Sequence, residues 1–599
     1  MKNPKAVYDS NIKTLTEQEN ALKKKRSGMA WARLAIILLI VAWLYNEWQN
    51  GWQIGLSGVL VGIVLFLVLV AKDVNLKSRL LFVQQLIAVN KRELDGLDFR
   101  FSDWNDGTEF LSATHPYGTD LDIFGKYSLF QYVNRAESEG GQKLLAEWFS
   151  AAVDKSTIEE RQYAVRILGE ATDWRQQLQA YGASTNIDAR IESDMAIWLQ
   201  LPVGNRSSYW KIIVWLYPIV TLASVWLYLD DHIPADIFGI LITVFIVFSF
   251  AQSKKSNAAF EVLSKFYPKV STLGYLVACL EEMKTKDSAA LQKLQTKLAS
   301  NDGVKASDSL RKLGKILGLF EARLNVFLYF FLNTFLLWDV RVAMNLQEWK
   351  AKFGSNMLTW LRTIYQAEAY SSLATLRFNH PEWIFPNINS DYYSFSGTGI
   401  GHPLIPENKR VDNDFAIDGQ GKIALITGSN MGGKSTFLRS LGVNMVLAYA
   451  GAPVCAKKFE VSVAKLMSSM RIADNLAENT STFYAELKKI RAIIEAVNSG
   501  EKVFVLLDEI LRGTNSLDRH AGSKALMLQL VREKVVAVIA THDVELANLV
   551  TEQPNAIANY HFDVQVDGND ELFFDYELKS GVCQRMNAAI LMKQIGIEL

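Results

Sequence analysis

The run Gly428-Ser429-Asn430-Met431-Gly432-Gly433-Lys434-Ser435, followed by Thr436, restricts the fold of this chain more than any other stretch. Its glycines and its Lys-Ser pair have the spacing of a phosphate loop. KIALIT before it reads as a buried strand, and TFLRSLGVNMVLAYA after it as a helix, which is the context such a loop requires. Glycines let the backbone curl so that amides and the helix N-terminus surround phosphate oxygens. Lys434 is then placed for the β- and γ-phosphates and Ser435 for Mg²⁺. The pattern predicts an α/β domain that binds a nucleoside triphosphate.

The rest of the composition points elsewhere. With 63 basic and 63 acidic residues the formal net charge is zero, so no global basic field advertises nucleic-acid binding. The cysteines, Cys279, Cys455 and Cys583, are far apart and match no metal spacing; so few suit a reducing compartment. Fifteen tryptophans and 49% hydrophobic residues are high for a soluble chain, and the excess is localised. Ile54 to Ala71 is eighteen residues without a charge, long enough to span a bilayer. Met29 to Tyr45 before it is apolar except for Arg33, which sits near one end and can snorkel. The short connector carries Trp48 and Trp52, as at a membrane interface. A second pair, Ile212 to Leu229 and Ile237 to Ala251, is joined by DDHIPAD. Lys and Arg flank the open ends of both hairpins and are missing from both connectors. The positive-inside rule then places both termini and the intervening mass in the cytoplasm.

A fifth apolar run, Leu324 to Trp338, has fifteen residues and contains Asn325 and Asn333. Its length fits a buried core helix better than a span. Topology favours the same reading, since an odd number of crossings would put the phosphate loop on the wrong side of the membrane. The expected organisation is a charged helix over 1–28, a first transmembrane hairpin over 29–71, and a helical linker and lever over 72–206. A second hairpin follows over 207–253, then a helical core over 254–385 and the nucleotide-binding domain over 386–599. Lys-rich patches such as Lys23 to Arg26 suit solvated faces or lipid headgroups better than DNA.

Downstream, Val503 to Glu509 reads as a buried strand ending in two carboxylates. Asp508 is the candidate for holding Mg²⁺ through water, and Glu509 for orienting or deprotonating the attacking water. A further strand, in VVAVIATHDVEL, ends at Thr541-His542, where a histidine can contact the γ-phosphate. TGSNMGGKSTFLRS, RIADNLAENTSTFYAEL, LLDEILRGTNSLD and ATHDVEL together resemble the ATPase domain of the MutS family of mismatch-repair proteins, in family order and near family spacing. The Asn-Met pair inside the loop and the missing LSGGQ-like segment set the chain apart from transporter ATPases. FGKYSLFQYVNRAESEGGQKLLAEW resembles the start of the family's helical lever, and GIGHPLI followed by VDNDFAI its lead-in to the ATPase domain. The resemblance implies an α/β P-loop ATPase of the ABC/MutS type preceded by an all-α lever. It further implies ATP and Mg²⁺ as ligands and a homodimer in which Ser481 of one chain faces the nucleotide of the other.

Where the family carries a mismatch-reading domain and a connector, this chain has about a hundred residues dominated by an apolar hairpin, which leaves no room for the reader. The second hairpin interrupts the lever, and the helices after it are short for a DNA clamp. Two readings therefore compete. One is a membrane-anchored MutS-like ATPase dimer that holds DNA near the membrane. The other is an ATPase that remodels a membrane protein complex without DNA. A solute transporter ranks behind both, since few intramembrane polar groups are available to line a path.

Overall fold

The computed structural model describes residues 3–47, 52–112, 114–185, 187–201, 209–254, 257–285, 288–299, 303–428, 432–470, 482–566 and 572–583. Two long helices, α1 (Pro4–Glu47) and α2 (Trp52–Leu97), open the chain as an antiparallel hairpin. The separate charged helix expected over 1–28 is instead continuous with the apolar segment. Nothing between Pro4 and Glu47 breaks the helix except Gly28, and one exposed glycine costs only about 1 kcal/mol. The same continuity carries α2 through 72–97. Leu22, Leu80, Val83 and Ile87 pack the polar half of the hairpin. Asp73 receives Arg26 at 3.0 Å and Arg33 at 3.4 Å, so the charges nearest the apolar half neutralise one another.

Residues 98–128, expected within a helical lever, are turns with one 3₁₀ turn at Thr108–Phe110. Pro116 and the left-handed Gly107 and Gly125 account for the missing helix. Helices α3 (Leu129–Val133), α4 (Glu139–Ser150), α5 (Lys155–Glu170), α6 (Thr172–Thr185) and α7 (Ala189–Gln200) follow. Ser128, Ser138, Asp154 and Asp188 cap the N-termini of α3, α4, α5 and α7 by accepting a backbone N–H of the first turn. A second apolar hairpin comprises α8 (Tyr209–Leu229) and α9 (Ala235–Ser253). By length and composition α1, α2, α8 and α9 are each able to cross a membrane.

After α10 (Asn257–Glu281), α11 (Ala289–Thr296) and α12 (Ala306–Leu319) comes α13 (Val326–Leu336). This is the run expected to be core, and the structure corrects that expectation. Phe327 is 81% exposed, Val326 73% and Phe331 58%, whereas the buried residues of α13 are Asn333 and Thr334. The polar side of the helix faces α8 and α9, where Asn333 finds a hydroxyl, while the Thr334 hydroxyl is buried without a partner among the described residues. Asn333 donates to Ser253 Oγ at 2.9 Å, and Thr221 Oγ1 to the Phe335 carbonyl at 2.8 Å.

The 42-residue α14 (Trp338–Asn379) leads to the α/β part. That part runs β1 (Asn387–Asn389), β2 (Ser394–Ile400), β3 (Asn413–Asp418), β4 (Ile423–Thr427), α15 (Lys434–Ala450), β5 (Lys458–Ser462) and β6 (Lys465–Ser469). It continues with α16 (Thr482–Asn498), β7 (Val503–Asp508), α17 (Ser516–Arg532), β8 (Val536–Thr541), α18 (Leu549–Glu552), β9 (Ile557–Val566) and β10 (Leu572–Ser580). One sheet has the order β1-β5-β2-β3. The other, β10-β9-β4-β8-β7-β6, is parallel except for β10. Strands β4, β7 and β8 are buried at every position, as expected for a parallel sheet covered on both faces. One apolar core joins this sheet to the helical region, with Leu121, Phe130 and Phe149 in the same cluster as Phe437 and Val538.

Candidate active site

In an open parallel sheet, ligands bind beyond the C-terminal ends of the strands. Here β4, β8 and β7 are adjacent, with Thr427 opposite Thr541 and Asp508 opposite Ala540, so their ends lie level. The Gly428–Ser435 loop leaves β4, Asp508-Glu509 leaves β7, and His542 leaves β8. The sheet thus gathers residues more than a hundred positions apart.

Two glycines shape the loop. Gly428 has φ +147°, and a Cβ there would meet the Phe562 carbonyl oxygen at 2.8 Å. Gly433, φ +100°, is the N-cap of α15. Lys434 is buried at the first position of α15, and its ammonium donates to the Gly428 carbonyl at 2.8 Å. Burial lowers its pKa, opposed by Asp508 and Glu509.

Asp508 is buried at the end of β7, and its Oδ1 has no hydrogen-bond partner among the described residues. Burial raises its pKa, countered first by a hydrogen bond from Ser435. An unpartnered carboxylate oxygen beside a hydroxyl suits a hard cation with oxygen ligands, so these residues fit Mg²⁺. Glu509 lies in the left-handed region, φ +53°, and its amide donates to the Ala540 carbonyl at 2.9 Å. One carboxylate oxygen meets His542 Nε2 and the other Arg512 Nε at 2.8 Å. The contact with His542, helped by the charge of Arg512 and opposed by burial, leaves Glu509 below the usual carboxylate range.

A cavity of about 510 Å³ opens over the loop, lined by Gly432, Gly433, Lys434, Ser435, Thr436 and Glu509. The same cavity extends to a wall that the sequence reading did not single out, formed by His402, Arg410 and Tyr576. His402 is pushed down to about 4 by burial, so it is neutral, and its Nδ1 accepts the Leu404 amide at 3.2 Å. Arg410 is aimed by Asp412 at 2.6 Å. The GIGHPLI segment was the available signal for His402. Tyr576 carries none, since it reaches the cavity through a register shift in β10 between Phe574 and Leu578 and a left-handed φ of +54°. Ser429, Asn430, Met431 and Ser481 lie outside the described residues.

The fold and this site define an α/β domain that presents a lysine, an acidic pair and a histidine at the strand ends, behind a helical N-terminal region. The family model described as MutS domain V matches residues 424–596, so this part of the chain is similar to that domain. Three of its relatives are DNA mismatch repair proteins MutS. That of Persephonella marina is 29% identical over 264 residues, 43% of this chain and 30% of the relative. That of Fusobacterium nucleatum is 32% identical over 190 residues, 31% of this chain and 21% of the relative. The protein of Methanococcoides burtonii is 33% identical over 218 residues, 35% of this chain and 24% of the relative. The chain spans less than a third of the length of these curated relatives.

Proposed function

We propose that the chain is a membrane-anchored ATPase of the MutS type, hydrolysing ATP in the cavity above β4, β7 and β8. The observation that carries this reading is a cavity lined by Lys434, Ser435 and Glu509, with His542 on the Glu509 carboxylate and Asp508 hydrogen-bonded to Ser435 behind it. The Gly428–Ser435 segment acts as a P-loop whose amides hold phosphate oxygens, and Lys434 exchanges the Gly428 carbonyl for the β- and γ-phosphates. Ser435 and Asp508 hold Mg²⁺, which supplies charge neutralisation to the phosphates. Glu509, kept ionised by its neighbours, accepts a proton from the water that attacks the γ-phosphorus in line, and the β–γ bridging oxygen leaves on ADP. His542 holds Glu509 on one side and reads the γ-phosphate on the other. Two copies form a homodimer with composite sites, Ser481 of each serving the other's nucleotide.

The four long apolar helices are transmembrane, and both termini and the ATPase domain are cytoplasmic. DNA held near the membrane is the ligand favoured by the relatives' names. Remodelling of a membrane protein complex without DNA is the second reading, supported by the zero net charge and the two hairpins. The test is ATP turnover by the detergent-solubilised protein with homoduplex, mismatched or branched DNA, against Lys434→Ala as the blank. Stimulation by a DNA form assigns nucleic acid as the ligand. Turnover indifferent to every DNA assigns the second reading, and turnover surviving in Lys434→Ala removes the ATPase site itself.

A further inference from the structure

The apolar run that opens α13 is neither core nor span, and its ends show why. Arg323 precedes it and Asp339 follows it, and the two form a bidentate pair: Nε to Oδ1 at 2.9 Å and Nη2 to Oδ2 at 2.7 Å. Asp339 is fully buried, and Tyr329 donates to its Oδ2 at 2.6 Å. The chain therefore leaves and returns at one place, and the uncharged segment between these two residues is a closed excursion. Its eleven-residue helix is about 16 Å long, half the hydrocarbon thickness of a bilayer. Before it the chain bends by 114° away from α12, which carries Asp308, Arg311, Lys312 and Lys315 and belongs to the polar helical core.

The depth of the excursion is fixed by what it touches. On α8, Arg341 donates to the Val214 carbonyl, Tyr217 donates to the Thr334 carbonyl at 3.0 Å, and Thr221 reaches the Phe335 carbonyl. On α9, Asn333 meets Ser253, and Phe250 packs on Tyr329 at 5.8 Å between ring centroids. Val214, Tyr217, Phe250 and Ser253 lie in the half of the hairpin remote from the DDHIPAD connector, and Thr221 lies just past the middle of α8. Leu324, Phe327 and Phe331 are exposed, as are the apolar Trp215 and Ile219 on α8 and Val247 on α9.

We propose that residues 324–338 form a re-entrant element that enters only the cytoplasmic leaflet, its outward face covered by lipid acyl chains. This rests on the reading of α8 and α9 as membrane spans. Polar groups turned inward and large apolar groups turned outward are what a hydrocarbon solvent selects. A stapled excursion of half-bilayer length alongside one half of a hairpin has one leaflet as its solvent.

The experiment is nitroxide scanning of the full-length protein in phosphatidylcholine liposomes, in a background with the three native cysteines replaced and ATP turnover retained. Labels replace Phe327 and Phe331, with Ile219→Cys as a mid-span control. Labels at Phe327 and Phe331 are expected to collide with dissolved oxygen several-fold more than with a water-soluble nickel chelate, and to report a shallower depth than Ile219. Glu321→Cys and Asn345→Cys are expected to react with an impermeant maleimide from the same side. Preference for the nickel chelate at Phe327, with Ile219 still lipid-exposed, overturns the proposal. So does shielding of Phe327 from both reagents, which would mean a protein cover, or reaction of Glu321 and Asn345 positions from opposite sides. Nickel access at Ile219 would instead overturn the membrane reading beneath it.

Discussion

Glu509 occupies a strained backbone position between two basic side chains, with Arg512 on one oxygen and His542 at the other. If it is the base, Glu509→Gln keeps ATP binding and loses turnover by two to four orders of magnitude, about the general-base range. Single-turnover hydrolysis together with equilibrium nucleotide binding checks it, and wild-type turnover in the variant would remove the assignment. Glu368 in α14 is a different kind of carboxylate. It is buried, and burial pushes it up to about 7 from 4.5, while the Ser138 hydroxyl and the Glu137 amide hydrogen-bond to it. The folded state then holds this proton over a range where the unfolded chain has released it. Its contribution is intact below pH 4.5 and is lost as pH rises towards about 7. Glu368→Gln should raise stability at pH 8 by about 1–3 kcal/mol and leave it unchanged near pH 4. Thermal unfolding in detergent across that range decides it, and parallel pH slopes for the two proteins would refute it.

Between elements, the buried pair Arg135–Glu93, 2.5 Å apart, fastens α2 to the turn before α4. Asn379 at the end of α14 also donates to Glu93, and Tyr8 of α1 donates to Asn379 at 2.7 Å. Four elements thus meet in one hydrogen-bonded network around Glu93. Arg135→Ala leaves that charge unpaired in the interior and should cost about 3–5 kcal/mol, read as a fall in Tm. A loss under 1 kcal/mol would show that the pair is not a structural anchor.

The elements also show what the sequence could convey. Periodic apolar spacing and strand ends in Asp-Glu and Thr-His place the Lys434, Asp508 and His542 regions correctly along the chain. Residues 98–128 were illegible because their fold is set by a distant partner. Asp120 is fully buried and receives Lys489 at 2.9 Å and Ser468 at 2.8 Å, so a non-helical segment is anchored to the α/β domain. Helix α13 was misread for the complementary reason. Length distinguishes a span from a core helix, but not which side of a short helix faces its neighbours.

At the scale of the molecule, α14 joins the parts. Its 42 residues extend about 63 Å, from Val340 against Val214 of the second hairpin to Asn379 against the first. Ser355, exposed at mid-helix, tests that continuity. Ser355→Pro removes a helix hydrogen bond and should cost about 3 kcal/mol. Amide exchange is expected to quicken in α14 around the site and to stay unchanged in β4, β7 and β8. Faster exchange in those strands would mean that the helix and the sheet unfold as one unit.

The packing of α13 also bears on the order in which the chain is made. Eleven residues, Asn333 and Thr334 among them, are too few to span a bilayer. The hydroxyls that meet its polar side, those of Tyr217 and Thr221 on α8 and Ser253 on α9, are synthesised earlier in the chain. The ion pair that closes it needs Asp339, which emerges last. Under the re-entrant placement proposed above, insertion of this segment is a late step of biogenesis, performed by the folding protein against a hairpin already in place.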